Sequence, residues 1–374
     1  MRAEQEIIDS WDMSEVIVTI CCTAYNQEKY IAKTIESFLM QQTSFPYEII
    51  ISDDCSTDKT TEIIRSYVKK YPKIIKHIYH DKNMYSKGVI PIRDYILPLV
   101  KSKYIALCEG DDFWIDTHKL QKQVALLESQ PFLSGVGHKT ELMKDDELTN
   151  EFMPNFKCDK QKIEFEDFID FNHYMHTSSL IYRYDTSNKA AIDKYLNKYP
   201  CIDFNDTFML LVFAKFGSIG YIDQVMSVYR INDAGLWMGL DKQKQSMIFL
   251  RSCISFMNIF EKKYAKNFLE HFIASICQYS EEDISNMVLN LLKDFDKSSC
   301  ENIINELLFL IKKDRENIET MASLLRANAS LIDEQKKYID QLEEIKLKFE
   351  NNKWYLMRQK IIFLIKRIFG KSYS

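Results

Sequence analysis

The stretch YEIIISDDCSTDKTTEIIRSYVKKY, Tyr47 to Tyr71, changes character halfway along. It opens on a short isoleucine-rich run of the kind a buried strand shows, breaks at Ser52 into polar residues, and continues as a helix-like segment. The same order stands upstream. VIVTICCT (Val16 to Thr23) is a continuous apolar run, and KYIAKTIESFLMQQ after it places Ile31, Ile35, Phe38 and Leu39 at helical spacing. Downstream, IIKHIYH is followed by IRDYILPLV, and KYIALCEGDD by KLQKQVALLESQ. Strand–helix units in series specify a mostly parallel, Rossmann-like α/β sheet with helices on both faces.

In open sheets of this kind ligands bind beyond the carboxyl ends of the strands, and here those ends are polar. The first ends in Thr23, Ala24, Tyr25 and Asn26, the second in Ser52 to Asp58, and the fourth in Glu109-Gly110-Asp111-Asp112. Two ionised carboxylates about 4 Å apart repel by roughly 4 kcal/mol at an effective dielectric near 20, so acids gathered at a strand end call for a cation. Read singly, Asp53 and Asp54 also suit turns, Asp58 suits a helix N-cap, and Asp111 and Asp112 can diverge into solvent. The first glycine of the chain is Gly88, so the first two strand–helix turns hold no glycine-rich phosphate cradle. A phosphorylated ligand in the crevice must be neutralised otherwise, and clustered aspartates supply hard oxygen ligands for Mg2+ or Mn2+.

Composition narrows the classes further. The 374 residues are 46% hydrophobic and 13% aromatic, enough to bury a sizeable core. A net charge of −5 argues against a general nucleic-acid binder. The nine cysteines are scattered and form no C-x-x-C, so neither a disulfide framework nor a zinc site is indicated and a reducing cytoplasmic setting is expected. The acidic N-terminus lacks the apolar core of a secretory signal, and no apolar run approaches the roughly 18 residues of a spanning helix, so a chain neither exported by a standard signal nor threaded through a bilayer is expected.

The segments TAYNQEKYIAKTIESFLMQQ, EIIISDDCSTDKTTEII and YIALCEGDDFWIDTHKLQKQV, in that order and spacing, resemble the family 2 glycosyltransferases of GT-A fold, of the bacterial polysaccharide type. The resemblance implies that Thr23, Ala24, Tyr25, Asn26 and Asp54, with Asp53 beside them, seat the nucleoside of a nucleoside-diphosphate sugar. It implies that Asp112 ligates the metal directly and that Asp111 contacts the ribose or the metal shell. Glu109 stands where a first Asp is frequent in the family. A weaker likeness in FNDTFMLLVFAKFGSIGYIDQVMSVYRINDAGLW implies that Asp206, opening a helix, is the general base of an inverting transfer, with Asp203 in reserve; a helix N-cap is the competing reading of Asp206. Arg230 could neutralise diphosphate and Trp237 could stack on a sugar, although both residue types equally serve packing. His176 lies near the acceptor side by the same likeness, and a structural histidine is the alternative.

The expected organisation is a nucleotide-sugar half over 1–130, an acceptor half over 131–240, a helical extension over 241–315, and a tail over 316–374. In the tail, Leu324, Leu331, Tyr338 and Ile345 occupy one heptad core position and Met321, Asn328, Gln335, Leu342 and Phe349 the other. This is a short coiled coil that would give a homodimer, or a solvated helix. The last segment carries Lys353, Arg358, Lys360, Lys366, Arg367 and Lys371 among bulky apolar residues and no acid, which reads as an interfacial helix holding the enzyme peripherally at the inner face of the cell membrane, or as a subunit contact. The expected activity is metal-dependent transfer of a sugar, from UDP in the first instance, to a glycan or lipid-linked glycan acceptor. The alternatives are a sugar-phosphate nucleotidyltransferase and a non-enzymatic nucleotide-binding scaffold.

Overall fold

The computed structural model describes residues 2–154, 162–169, 175–198, 205–231, 240–265, 267–268 and 271. The chain divides into two compact units, Met1–Asp241 and Lys242–Ser374. In the first, the strands are β1 (Val18–Ala24), β2 (Tyr47–Asp53), β3 (Ile75–Tyr79), β4 (Tyr104–Leu107), β5 (Phe113–Trp114), β6 (Leu133–Lys144), β7 (Glu147–Met153), β8 (Lys162–Ile163), β9 (Ile181–Arg183) and β10 (Ser218–Ile231). They form one sheet of order β3-β2-β1-β4-β9-β6-β10-β5, with β7 on β6 and β8 on β10. The four expected strands pair in parallel, and β9 is antiparallel to both of its neighbours.

The helices are α1 (Glu4–Ile8), α2 (Ile31–Leu39), α3 (Thr60–Lys70), α4 (Lys119–Ser129), α5 (Phe165–Ile169), α6 (Lys189–Leu196) and α7 (Asn205–Lys215), with α8 (Lys242–Ile259) in the second unit. The periodic face read for α2 is its core face: Ile31, Ile35, Phe38 and Leu39 are all 0% exposed. At about 1.5–3 kcal/mol for each fully buried large apolar side chain, this face anchors α2 in the main hydrophobic core, against β5 and α3 among others. The helix-like IRDYILPLV is helical but not α-helical: it forms a π-turn over Ile92–Ile96 and a 3-10 turn over Leu97–Leu99, where Pro98 has no N–H to continue an α-helical ladder.

In β6, a Cβ on Gly135 would lie 2.9 Å from the Ile181 carbonyl oxygen and 2.7 Å from Tyr182 Cδ1, so glycine is what lets β9 pair so closely. Of the helical extension expected over 241–315, α8 is described. The heptads, the basic tail and most of the remainder lie outside the described residues, and among those described no helix is long and apolar enough to cross a membrane.

Candidate active site

The turn after β4 is clamped before any charge is considered. Gly110 N–H donates to the Thr23 carbonyl (2.9 Å), and Thr34 Oγ1 on α2 lies 2.9 Å from Gly110 O and 2.6 Å from Asp112 O. A Cβ on Gly110 would displace the Gln27 amide, 2.3 Å away at Oε1, and crowd Thr23 O at 3.1 Å, so the close approach of the β1 end to the acidic turn favours glycine. Glu109, Asp111 and Asp112 each offer a carboxylate oxygen, and these oxygens lie within 4.8 Å of one another.

Asp112 is fully buried. Its Oδ1 accepts the Arg230 backbone N–H at 2.9 Å, while Oδ2 has no hydrogen-bond partner among the described residues. Burial first, then the charges of Asp111 and Glu109, push its carboxyl well above the ordinary range. Glu109 is solvent-exposed at the turn, and the surrounding protein, then the charges of Asp111 and Asp206, push its carboxyl up to about 8. A divalent cation would invert these shifts, and an all-oxygen donor set with an unpartnered buried oxygen fits a hard one.

His176 from the distant half reaches the same place. Its Nε2 lies 3.6 Å from Asp112 Oδ2, longer than a hydrogen bond, and its ring stacks on Tyr229 at 4.2 Å. Burial lowers its pKa to about 3, so the ring is neutral, and Nδ1 accepts the Ser178 N–H at 3.3 Å, which leaves the proton on Nε2. Ser178, Ser227 and Thr140 carry a buried hydroxyl chain behind it.

The other expected residues divide by what their polar groups already do. Asp53 Oδ1 accepts from Ser56 N (3.1 Å) and Oγ (2.6 Å), and Oδ2 accepts from Thr61 Oγ1. Asp54 accepts the backbone N–H groups of Met84 (2.7 Å) and Tyr85 (3.0 Å). Asn26, with φ of 51°, accepts from Thr57 N–H at 2.8 Å and ties the β1 and β2 loops together, and Asp58 joins the start of α3 to Glu28. Thr23 and Ala24 close β1 beside them, and Tyr25 is 44% exposed at its end.

Asp206 opens α7, accepts the Thr207 N–H at 2.7 Å, and lies near enough to Glu109 and Tyr229 to raise both. Arg230 reaches the carbonyl of Asp111 and lies over the rings of Phe113 (4.4 Å) and Tyr30 (5.0 Å). Trp237 and Asp203 lie outside the described residues. Gln27, Thr34 and Lys33 at this site escaped the sequence reading, since all three fall inside or beside a helical pattern that accounts for them.

Residues 19–187 match the family model described as glycosyl transferase family 2, and this segment of the chain is a family 2 domain of GT-A fold. Among relatives, an uncharacterized protein of Mycobacterium tuberculosis (strain ATCC 25618 / H37Rv) is 32% identical over 226 residues, 59% of this chain and 60% of the relative. The UDP-Glc:alpha-D-GlcNAc-diphosphoundecaprenol beta-1,3-glucosyltransferase WfaP of Escherichia coli is 40% identical over 114 residues, 30% of this chain and 42% of that protein. The match thus spans less than two thirds of either relative's length. The structure of S. aureus TarS 1-349 in complex with UDP-GlcNAc superposes with a TM-score of 0.54 at 16% identity, over 76% of this chain and 83% of TarS, a likeness of fold.

Proposed function

We propose that the chain is an inverting glycosyltransferase that moves a sugar from a nucleoside-diphosphate donor, UDP-linked in the first instance, to a glycan or lipid-linked glycan acceptor in surface polysaccharide assembly. The observation that carries this is the gathering of Glu109, Asp111 and Asp112 at the carboxyl end of β4, with Asp206 acting on Glu109. Named relatives work in the same chemistry on UDP-glucose and a diphosphoundecaprenol acceptor.

Asp111 and Asp112 hold the divalent cation, with Glu109 beside them. When bound, Mn2+ or Mg2+ supplies Lewis-acid stabilisation of the charge that grows on the leaving diphosphate. Arg230 adds positive charge from the β10 end. Thr23, Ala24, Tyr25, Asn26 and Asp54, with Asp53 beside them, seat the nucleoside, and the hydrogen bonds of Asp53 and Asp54 also fix the loops around it. Asp206 accepts the proton of the attacking acceptor hydroxyl, which is deprotonated as its oxygen bonds to the anomeric carbon and the diphosphate leaves from the opposite face. Trp237 stacks on the sugar, and the basic C-terminal segment holds the enzyme at the cytoplasmic face of the membrane.

The test is release of nucleoside diphosphate from a panel of sugar nucleotides with Mn2+, Mg2+ or chelator. Metal-dependent release from one donor, rising with acceptor, is expected. Formation of a sugar nucleotide from a sugar phosphate would instead identify a nucleotidyltransferase, and binding without turnover a scaffold.

A further inference from the structure

Beside the acidic crevice two cations share one aromatic ring. Lys33 Nζ of α2 lies 3.8 Å from the centroid of Phe113, and the Arg230 guanidinium carbon lies 4.4 Å from it. Arg230 is 7% exposed. Among the described residues its guanidinium donates to a neutral acceptor, the Asp111 carbonyl, and its Nε has no partner. The nearby Asp112 carboxylate takes the Arg230 backbone N–H and not its side chain. Neither cation forms a salt bridge with a carboxylate among the described residues.

The electrostatics carry the same imprint. Burial, then the Arg230 charge, lowers the Lys33 amine, and Asp146 at the β6–β7 hairpin tip only partly offsets this. The carboxylates of Asp112, Asp146 and Asp111 favour the Arg230 charge, yet among the described residues none of them takes a hydrogen bond from its part-buried guanidinium, and a second cation over the same ring adds repulsion. An anion relieves both at once. Arginine offers a planar fork and lysine a point charge, and together they suit a tetrahedral phosphate.

We propose that Lys33 and Arg230, held over Phe113, form a phosphate subsite at the edge of the acidic crevice. Building on the glycosyltransferase reading, the phosphate belongs either to the donor diphosphate or to a phosphate of the acceptor's carrier. Asp146, with φ of 63°, is a negative charge that both cations feel, and for Arg230 it competes alongside Asp112 and Asp111 with any bound phosphate.

The experiment is calorimetry on the full chain with inorganic pyrophosphate in chelator, so that no metal takes part. Lys33→Met keeps the apolar stem over Phe113 and removes the charge, and should weaken pyrophosphate by about five- to tenfold. Asp146→Asn keeps a residue that tolerates positive φ, removes the competing charge, and should tighten it. If Lys33→Met binds pyrophosphate as tightly as wild type, or if wild type does not bind it, the subsite is wrong.

A second titration uses UDP with Mn2+. If UDP displaces pyrophosphate and Lys33→Met weakens both, the subsite holds the donor diphosphate. If pyrophosphate binds the UDP-saturated protein and Lys33→Met weakens pyrophosphate alone, it holds the acceptor phosphate. Wild-type binding of UDP with Mn2+ tests the glycosyltransferase reading by itself, so the two ideas fail separately.

Discussion

Two pairs of adjacent aspartates, Asp53–Asp54 after β2 and Asp111–Asp112 after β4, look alike in sequence and are used differently. The first pair is satisfied from within: Ser56, Thr61 and the backbone N–H groups of Met84 and Tyr85 donate to it. The second is crowded by Glu109 and, among the described residues, leaves a buried oxygen of Asp112 without a donor. A carboxylate that the chain has already solvated contributes to holding its loops, whereas a raised, buried one without a donor is a candidate for a ligand brought from outside.

The contrast is broken most severely by Asp112→Ala. Turnover should fall by about 10³ or more and calorimetric affinity for UDP with Mn2+ should collapse, because the cation loses a ligand. Unchanged affinity would remove Asp112 from the metal site. Asp206→Asn is expected to lower turnover by about 10² to 10⁴ with donor and metal affinity near wild type. Asn caps a helix almost as well as Asp, so near-normal turnover would make Asp206 a cap and send the base elsewhere.

The scaffolding pair should respond in stability. Asp53→Ala strands the Ser56 and Thr61 donors and should cost about 2–4 kcal/mol in urea unfolding; a loss of nucleotide affinity with unchanged stability would reverse its assignment. The smallest effect concerns pH. In metal-free protein Glu109 is raised from 4.5 to about 8, so the stability tied to its protonated form is present below 4.5 and is lost as pH rises through 8. Mn2+ favours the ionised form. The melting temperature with Mn2+ minus that in chelator should therefore grow across this interval, by a few degrees because the exposed edge of Glu109 is screened. The buried His138 and Lys119, whose charged forms burial disfavours, cancel in the difference. A flat difference would mean that the cation does not see the raised acids.

The sequence made the four parallel strands readable because each is a short apolar run with a helix behind it. The later sheet was not readable. β9 is three residues long, and nothing local tells Ile181 to pair with Ala106 on one side and Val136 on the other. At the site, acids at strand ends announced themselves, but their partners did not. Asp54 is capped by N–H groups some thirty positions later, and backbone donors leave no mark in residue type. Lys33 passed for a solvated helix residue, since only the fold brings it to Phe113 and Arg230.

The position of β9 also governs how the protein can be made. During synthesis β1 to β4 leave the ribosome well before Ile181 to Arg183, and until those residues arrive β4 presents an unpaired edge to its surroundings. The nascent nucleotide half is therefore the species most in need of protection from mispairing. A gene cut between the two halves would not yield two independent pieces, because each would keep an open ladder that only the other can close.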